Sequence, residues 1–422
     1  MSYFYVLNQL QINVFYGRGK MKKRLIIFML VFCFLMGQVK SDTVVGASAI
    51  TERKFVVLLM RGMKLCNQQD TTTEIIQAAC KKRIVKDADK SQLSKKLTKE
   101  RAAIYLCRMD VKVNGSTYDE KKYKMVRDYN RISDLKSMKK ASRASVIKMY
   151  CKGIMVGYSN GYYVQSRKFK GAETVTETEA KTYVNRLCKT SKRKAISPDG
   201  QLIRSTKLPK NASSYPYILA TYPNWFYERT FEYQKCKFHR RPIALKDYAS
   251  PIQIGKMKFY DGNTMETVRN KYLMDWCDKV EKNISLRFNV DYRTINTSWV
   301  NKLRSTYYTF DDASLNKSRT DDIKKYMKNV KANRVIIKTS RVTVEPSTMY
   351  NCIKDYVRVY VRFKIVEGDL NSNNLVYSDE FSVKNLKKEK WIEQCFDIGI
   401  GSLNAYSTGE DYAVIDNKLF QA

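Results

Sequence analysis

The segment VTETEAKTYVNRL, residues 175–187, decides the fold of the first half of this chain, because two earlier segments share its pattern. ITERKFVVLLMRG (50–62) and LTKERAAIYLCRM (97–109) also place an apolar residue before a threonine, and apolar or small residues four, seven and eight places after it. An arginine follows each threonine at the tenth place. The positions that define the pattern are Thr51, Thr98, Thr176, Arg61, Arg108 and Arg186.

Each threonine is in a position to begin a helix. A threonine hydroxyl at an N-cap accepts a hydrogen bond from a backbone N–H that the first turn leaves unpaired. Apolar residues at offsets four, seven and eight form one stripe along a helix, which predicts packing on a shared core. Only the third segment adds a glutamate, Glu179, at the offset of a capping box. Three unrelated amphipathic helices would also explain the stripes, but agreement at six offsets in three places favours an internal repeat.

A second pattern lies before the third segment. It reads Ile132-Ser-Asp134, a helical run, Gly153-Ile-Met-Val-Gly157 and Phe169-Lys-Gly171, and it ends in Thr176 to Glu179. A shorter half-match, Cys80-Lys-Lys-Arg-Ile84, precedes the second segment.

These residues resemble the S-layer homology family. The repeat of that family runs Phe-x-Asp, a helix, Gly-Ile-x-x-Gly, Phe-x-Pro and then Thr-Arg-Ala-Glu at the start of a second helix. The resemblance covers residues 50–190 and is complete only in the last copy. It implies an all-α repeat module, here residues 42–190, that holds exported proteins on anionic, often pyruvylated, wall polysaccharide.

The chain departs from the family at the arginine of Thr-Arg-Ala-Glu, which is a main ligand contact there. Glu52, Lys99 and Glu177 stand at that place, and only the lysine keeps the charge, without the two-pronged donor of arginine. Other cations must then contribute, and tyrosines beside the glycine turn offer surfaces for sugar rings, although packing roles explain those tyrosines equally well. The candidate glycan-binding residues are Thr98, Lys99, Arg101, Tyr158, Tyr162, Tyr163, Arg167 and Lys168.

The charge of the chain points to an anionic partner. Lysine and arginine number 78 against 41 aspartates and glutamates, which leaves a net charge of +37 over 422 residues. Such an excess repels itself, so nucleic acid, anionic lipid or an anionic wall polymer is expected as its counterpart.

The N-terminal residues select among these partners. Met21-Lys-Lys-Arg24 is a positive segment, Leu25 to Met36 is an apolar run too short to span a bilayer, and small or apolar residues follow up to Ser41. This predicts a signal peptide within residues 1–41, with translation beginning at Met21 and cleavage near Ser41. An uncleaved anchor is the alternative. Export takes the protein away from nucleic acid and favours an anionic secondary wall polysaccharide on a Gram-positive cell surface.

Nine cysteines remain after the signal segment, all spaced singly from Cys66 to Cys395. This spacing is typical neither of a dense disulfide framework nor of a zinc site. The odd count leaves at least one cysteine without an intramolecular partner, and the pairing stays open.

The rest of the chain divides into a connector and a second domain. Residues 191–230 combine prolines with many aromatic residues, which predicts an extended strap packed on a domain. Residues 231–422 predict an α+β domain with a mainly antiparallel sheet and helices on one face. Its predicted helices carry stripes at Met265–Val280, Val300–Tyr307 and Ile323–Val330.

Four strands are expected in this second domain. Residues 356–365 alternate strictly between valine-rich and tyrosine- or arginine-rich positions, which predicts a strand with one buried and one wet face. The other expected strands are Arg334–Val344, Leu375–Val383 and Cys395–Ile400, with a tight turn at Gly399–Ser402.

Catalytic chemistry has weak support in the sequence. Cys236 and the single histidine, His239, would suit a thiol nucleophile and base, but the lysines and arginines around them favour a solvated basic edge. A glycoside hydrolase needs two acids about 5–10 Å apart across a sugar, whereas neighbouring acids on a chain usually cap helices. The neighbouring acids here are Asp311-Asp312, Asp321-Asp322 and Glu410-Asp411. No metal or cofactor is indicated.

The sequence therefore predicts a secreted, wall-bound protein whose helical repeats hold an anionic glycan and whose α+β domain serves binding or scaffolding. Two alternatives stay open. The second domain would be a glycan hydrolase tethered by the repeats, or the basic surface would bind extracellular DNA or an anionic membrane. The identity of the glycan and the oligomeric state are open as well.

Overall fold

The structure is a computed structural model that describes residues 48–115, 117–229, 249–352, 354–372, 374–379, 381, 383 and 386–421. The predicted signal segment and the pair Cys236 and His239 lie outside the described residues. Helices dominate up to residue 190, and a six-stranded antiparallel sheet with helices follows from residue 249, which confirms the α+β class.

The helical part contains seven α-helices, one 3-10 helix (Leu135–Ser137) and one small hairpin among the described residues. The helices are α1 (Glu52–Gly62), α2 (Thr72–Lys81), α3 (Asp87–Lys90), α4 (Lys99–Asn114), α5 (Glu120–Asp128), α6 (Lys140–Cys151) and α7 (Glu177–Cys188). The hairpin consists of β1 (Tyr158–Ser159) and β2 (Arg167–Lys168), with two residues in each strand. It is the one departure, among the described residues, from the predicted all-α composition of this part. The hairpin forms an insertion before α7.

Thr51, Thr98 and Thr176 each cap a helix, as the sequence predicted. Their hydroxyls accept from the backbone N–H three residues further on, at 3.3, 3.4 and 3.2 Å, at the starts of α1, α4 and α7. Thr176 and Glu179 also form the predicted capping box.

The three residues that precede these caps form a closed ring of backbone hydrogen bonds. The N–H of Ile50 donates to the carbonyl of Val175 (3.0 Å), that of Val175 to Leu97 (2.8 Å), and that of Leu97 to Ile50 (2.8 Å). All three residues are buried in one apolar core. The starts of α1, α4 and α7 therefore converge on one point.

The glycine turn and the other quoted motifs also come together. Both carboxylate oxygens of Asp134 accept backbone N–H groups, from Phe169 (2.8 Å) and Lys170 (2.7 Å). Gly153 has φ +67°, and a Cβ there would lie 1.8 Å from the carbonyl oxygen of Lys194, so only glycine fits this turn. Asp134 thus ties the Ile132–Asp134 segment to Phe169–Gly171.

The described part of the connector, residues 191–229, forms a strap on the second domain. Its aromatic residues pack into a third apolar cluster with side chains of the second domain. The hydroxyl of Tyr222 donates to the carbonyl of Val344 (2.9 Å), and the hydroxyl of Tyr227 donates to Glu345 (3.0 Å). A short helix, α8 (Asn224–Glu228), lies within this strap.

The second domain, in its described residues, packs four helices on one sheet. The helices are α9 (Pro251–Ile254), α10 (Met265–Arg287), α11 (Thr297–Arg304) and α12 (Ala313–Ala332). The strands are β3 (Val290–Asp291), β4 (Ile336–Cys352), β5 (Lys354–Glu367), β6 (Ile392–Gly401), β7 (Ala413–Val414) and β8 (Phe420–Gln421). Strands β3 to β7 lie side by side in chain order, β8 pairs with β6, and all pairs are antiparallel.

The prediction of one wet face on the 356–365 strand is confirmed only for Arg362 and Lys364, which are partly exposed. The valines of β5 face the main core, but Arg358 and Tyr360 on the other face are also buried. The strap covers them, since the guanidinium of Arg358 donates to the carbonyl of Phe226 at 2.9 Å. A strand pattern alone does not reveal a cover supplied by a distant segment.

One strand prediction and one turn prediction also need correction. The described residues of Leu375–Val383 form turns and bends, because side chains rather than a neighbouring strand satisfy their carbonyls. Tyr326 donates to Leu375 (3.0 Å), and Arg287 donates to Tyr377 (2.6 Å). The predicted turn at Gly399–Ser402 was placed too early in the chain. Strand β6 continues through Gly401, which pairs with Ala413 of β7.

Candidate binding groove

A cavity of about 250 Å³ opens in the helical part between the starts of α4 and α7 and the hairpin. Two of its walls are helix surfaces, and the third is the glycine turn with Tyr158 of β1. Its lining residues include Lys99, Gly157, Tyr158, Glu179, Tyr183 and Arg186. Two candidates from the glycan-binding set, Lys99 and Tyr158, therefore face one cavity, which is called the open groove below.

Lys99 lies at the floor of the open groove with its charge already balanced. Its side chain is 4% exposed, and its ammonium group contacts Glu173 (2.9 Å) and Glu179 (3.4 Å). It also donates to the hydroxyl of Tyr158. Burial would lower the pKa of Lys99, but the hydrogen bonds to Tyr158 and Glu173 outweigh burial and raise it. Lys99 is therefore charged and has three neighbouring acceptors for its three N–H donors.

Two other candidates, Arg167 and Lys168, lie beside the groove and are not among its lining residues. Arg167 donates to the carbonyls of Val156 (2.7 Å) and Gly157 (2.9 Å), so its guanidinium braces the glycine turn from behind. Lys168 is exposed on β2, opposite Tyr158 in the hairpin register. Gly157 has φ +61°, and a Cβ there would lie 2.7 Å from the carbonyl oxygen of Lys168.

Arg101 is engaged inside the protein at the matching position between α1 and α4. Its guanidinium binds the carboxylate of Glu52 with two hydrogen bonds, at 2.9 and 2.6 Å, and contacts Asp89 at 2.8 Å. Tyr105 also donates to Glu52, at 2.6 Å. The hydrogen bond to Glu52 raises the pKa of Arg101. Arg101 thus closes this position rather than contributing to the open groove.

The two remaining tyrosines of the candidate set lie away from the open groove. Tyr162 is 59% exposed at the tip of the hairpin loop. Tyr163 is buried, and its ring stacks on that of Tyr360 with a centroid separation of 3.5 Å. Tyr163 therefore joins the helical part to the sheet, and its role is packing.

Sequence reasoning assigned no ligand role to four residues at the open groove: Glu173, Glu179, Tyr183 and Arg186. The sequence pattern assigns Glu179, Tyr183 and Arg186 only places in the repeat. The offsets three, seven and ten from Thr176 place the last three on the face that α7 turns toward α4. The shared offsets of the three helices were the available signal, because residues at equal offsets from converging caps meet the same neighbours.

The acids considered for catalysis serve local structure. Asp312 caps α12 by accepting from Ser314 N–H at 2.7 Å, and Asp321 pairs with Lys317 at 2.7 Å. Asp411 braces its loop by accepting from the hydroxyls of Ser402 (2.6 Å) and Ser407 (2.5 Å). Capping was the expected role of such acids, and Asp312 confirms it, whereas the role of Asp411 in its loop was not expected.

A second cavity, of about 200 Å³, lies where the helical part, the strap and α10 meet. Three acids line it, but Asp199 is paired with Arg131 at 3.0 Å. The other two, Asp278 and Glu281, lie one turn apart on the same helix, so they do not flank a sugar from opposite sides. Burial raises the pKa of Glu281 to about 7.

Within the described ranges, no three histidine, cysteine or acidic side chains form a group suited to a metal ion. In the same ranges, no helix is both long and apolar enough to cross a bilayer. Comparison of the chain with protein-family models and with curated protein sequences gives no match.

Proposed function

We propose that the protein is an exported cell-surface protein that attaches non-covalently to an anionic wall polysaccharide through the open groove. The helical part would be an S-layer-homology-like module built from three related copies, and the α+β domain would be displayed as a binding or scaffold domain. The observation that carries the proposal is the open groove itself, where a half-exposed tyrosine, an arginine and a lysine line one cavity.

The geometry of the groove suits a sugar ring. Tyr158 is 41% exposed, and the ammonium groups of Lys99 and Lys170 lie over its ring, 4.4 and 4.8 Å from the centroid, so a sugar would contact the part of the ring that they leave open. Polar groups of Glu179 and Arg186 line the same cavity and offer hydrogen bonds to hydroxyl groups. A cavity of about 250 Å³ accommodates one or two sugar units of a chain that continues into solvent.

The experiment is co-sedimentation of the full chain with purified wall sacculi, before and after removal of the secondary polysaccharide by mild acid. We expect salt-sensitive retention that disappears with the polysaccharide. Tyr158→Ala should reduce retention about tenfold, which corresponds to the loss of one stacking contact worth about 1.4 kcal/mol. Tyr162→Ala is the matched control, since Tyr162 lies on the same hairpin but outside the groove.

Equal retention by both tyrosine variants would contradict the proposal, as would retention that survives removal of the polysaccharide. Tight binding to DNA or to anionic vesicles in place of sacculi would favour the basic-surface alternative.

A further inference from the structure

The sheet face that the strap covers continues beyond the strap as an exposed basic surface. After the buried Tyr360, the same face of β5 carries Arg362 and Lys364, because alternate residues of a strand point to the same side. Their side chains are 36% and 22% exposed. On the neighbouring strand β4, Lys338 and Arg341 are exposed and lie opposite these two residues. The four cationic side chains are called the basic face below.

Both cross-strand pairs of the basic face bring like charges together. Lys338 is directly opposite Lys364, and Arg341 is directly opposite Arg362. Opposed side chains lie about 5 Å apart at their Cβ atoms, and like charges at that distance destabilise a sheet. The register creates the second pair, since Ser340 is an extra residue in β4 that brings Arg341 into line with Arg362. Two adjacent like-charge pairs oppose folding, so a role outside the fold is expected for them.

Two of the four cations have carboxylate partners. Glu393 on β6 contacts Arg362 at 3.5 Å, and Glu389 pairs with Lys364. The side chains of the two glutamates are 52% and 56% exposed. Ion pairs this exposed are weak, so they yield to a competing anion.

The other two cations have no such partner. Of the described residues, none places a carboxylate within ion-pair distance of Lys338 or Arg341. Arg341 donates one hydrogen bond, to the carbonyl of Tyr162 at 3.1 Å, and its guanidinium has further N–H donors. The loop before β6 adds three exposed lysines: Lys387, Lys388 and Lys390. Positive charge therefore prevails across this end of the sheet.

The exposed aromatic ring beside the basic face is already covered by cations. Trp391 is 41% exposed, and the charged groups of Arg362 and Lys364 lie over its ring, 4.5 and 5.6 Å from the centroid. The ring holds these two side chains in place and offers less surface for the stacking of a nucleotide base. A partner that is recognised through its charges rather than through bases is therefore favoured.

We propose that the basic face binds a linear polymer with phosphodiester groups along its backbone, of the polyol-phosphate type. The cations are spaced about 5 Å apart across the strands and about 7 Å apart along β5, so one chain meets several of them in succession. A guanidinium presents two parallel donors to a phosphate, which suits Arg341 and Arg362 to this group. Only the wall origin of the polymer rests on the proposed function, because the basic face lies in the sheet domain, away from the open groove.

The test is fluorescence anisotropy of labelled poly(glycerol phosphate), titrated with the full chain at several salt concentrations. Lys338→Gln combined with Arg341→Gln should weaken binding about tenfold or more. It should also reduce the slope of log affinity against log salt by about 1, because phosphate contacts are lost. Lys325→Gln combined with Lys328→Gln is the matched control, since both lysines are exposed on α12 and the change in charge is the same. We expect the control to change the affinity less than about twofold.

The double variant at the basic face should melt at the wild-type temperature or slightly above it, because two like-charge pairs are relieved. A lower melting temperature would assign these cations to the fold and overturn the inference, as would equal weakening of binding in the two double variants. Equal or tighter binding of an oligothymidylate with the same number of phosphates would overturn the polyol-phosphate assignment in favour of nucleic acid.

These outcomes are separable from those for the open groove. Sacculus retention that requires Tyr158, without binding of poly(glycerol phosphate), would remove this inference alone. Binding of poly(glycerol phosphate) that requires Lys338 and Arg341, with retention that ignores Tyr158, would remove the proposed function and leave the basic face as a phosphodiester site.

Discussion

The helical part and the sheet domain bury carboxylates in two different ways. In the helical part, Asp89 is surrounded by two arginines, and hydrogen bonding lowers its pKa despite burial. In the sheet domain, Glu345 is fully buried under the strap and bonded only to neutral donors among the described residues: Tyr227, Ser347 and the backbone N–H of Thr348. Burial raises the pKa of Glu345 to about 8.

This difference teaches that Glu345 and Asp89 should contribute to stability with opposite pH dependence. A carboxyl group paired with cations stabilises its surroundings while it is ionised, and a buried carboxyl among neutral donors does so while it is protonated. The four following changes test or refine that contrast, beginning with the largest expected effect.

The largest loss should come from the buried ion pair beneath the strap. Arg358 and Asp397 are both fully buried, with their atoms 2.8 Å apart. Arg358→Met should destabilise the sheet domain by about 3–5 kcal/mol, because it leaves an uncompensated buried carboxylate. Urea unfolding followed by tryptophan fluorescence measures this loss selectively, since all four tryptophans lie between residues 225 and 391. Arg362→Met, on the same strand but partly exposed, is the control, and a loss no larger than that of this control would refute the prediction.

The pH dependence of the sheet domain is the next largest effect. The pKa of Glu345 is about 8 in the folded protein against 4.5 ordinarily, so the folded state holds a proton that the unfolded state releases between these values. The contribution of Glu345 to stability is therefore fully present below pH 4.5 and is lost as pH rises toward 8, at up to about 1.4 kcal/mol per pH unit. In the Glu345→Gln variant, the melting temperature measured by tryptophan fluorescence should change less with pH over this range. A variant whose pH slope equals that of the wild type would show that another group is responsible.

The helical part should instead lose stability toward acid. Since the folded pKa of Asp89 is lowered, its contribution is present above its ordinary pKa and is lost as pH falls through the lowered value. Asp89→Asn should cost about 1–3 kcal/mol at neutral pH and remove that acid sensitivity. Hydrogen exchange of the amides in α4, resolved by mass spectrometry, reads this region separately from the tryptophans. Unchanged exchange in α4 would mean that the two arginines do not need this carboxylate.

The smallest effect concerns a single helix start. Thr176→Ala removes the hydroxyl that accepts from the N–H of Glu179, and it should cost about 1 kcal/mol. Thr174→Ala, two residues earlier and exposed, is the control. Faster exchange in α7 for the first variant only is the expected outcome, and equal exchange in both would show that the cap contributes little.

Local sequence signals predicted the helix starts and their apolar stripes, and they predicted the core strand at 356–365. The threonines act within three residues of themselves, and a stripe depends only on the helical period, so neither requires knowledge of distant segments. The same reasoning brought Lys99 and Tyr158 into the candidate set. It failed for Arg101 and Tyr163, because the partners that occupy them, Glu52 and Tyr360, are 49 and 197 residues away in the chain.

The amino-acid sequence by itself determined where the capped helices begin, which of their faces are apolar, and that the second half alternates in the manner of a sheet. These properties follow from backbone hydrogen bonding and side-chain periodicity over a few residues. Only the tertiary structure decided which charged side chains form internal ion pairs and which ones line the open groove. Asp89 forms an ion pair with Arg108, whereas Arg186 lines the open groove. The strap covers the second face of β5 at Arg358. Electrostatic pairing and burial depend on distances between segments far apart in the chain, which local patterns do not contain.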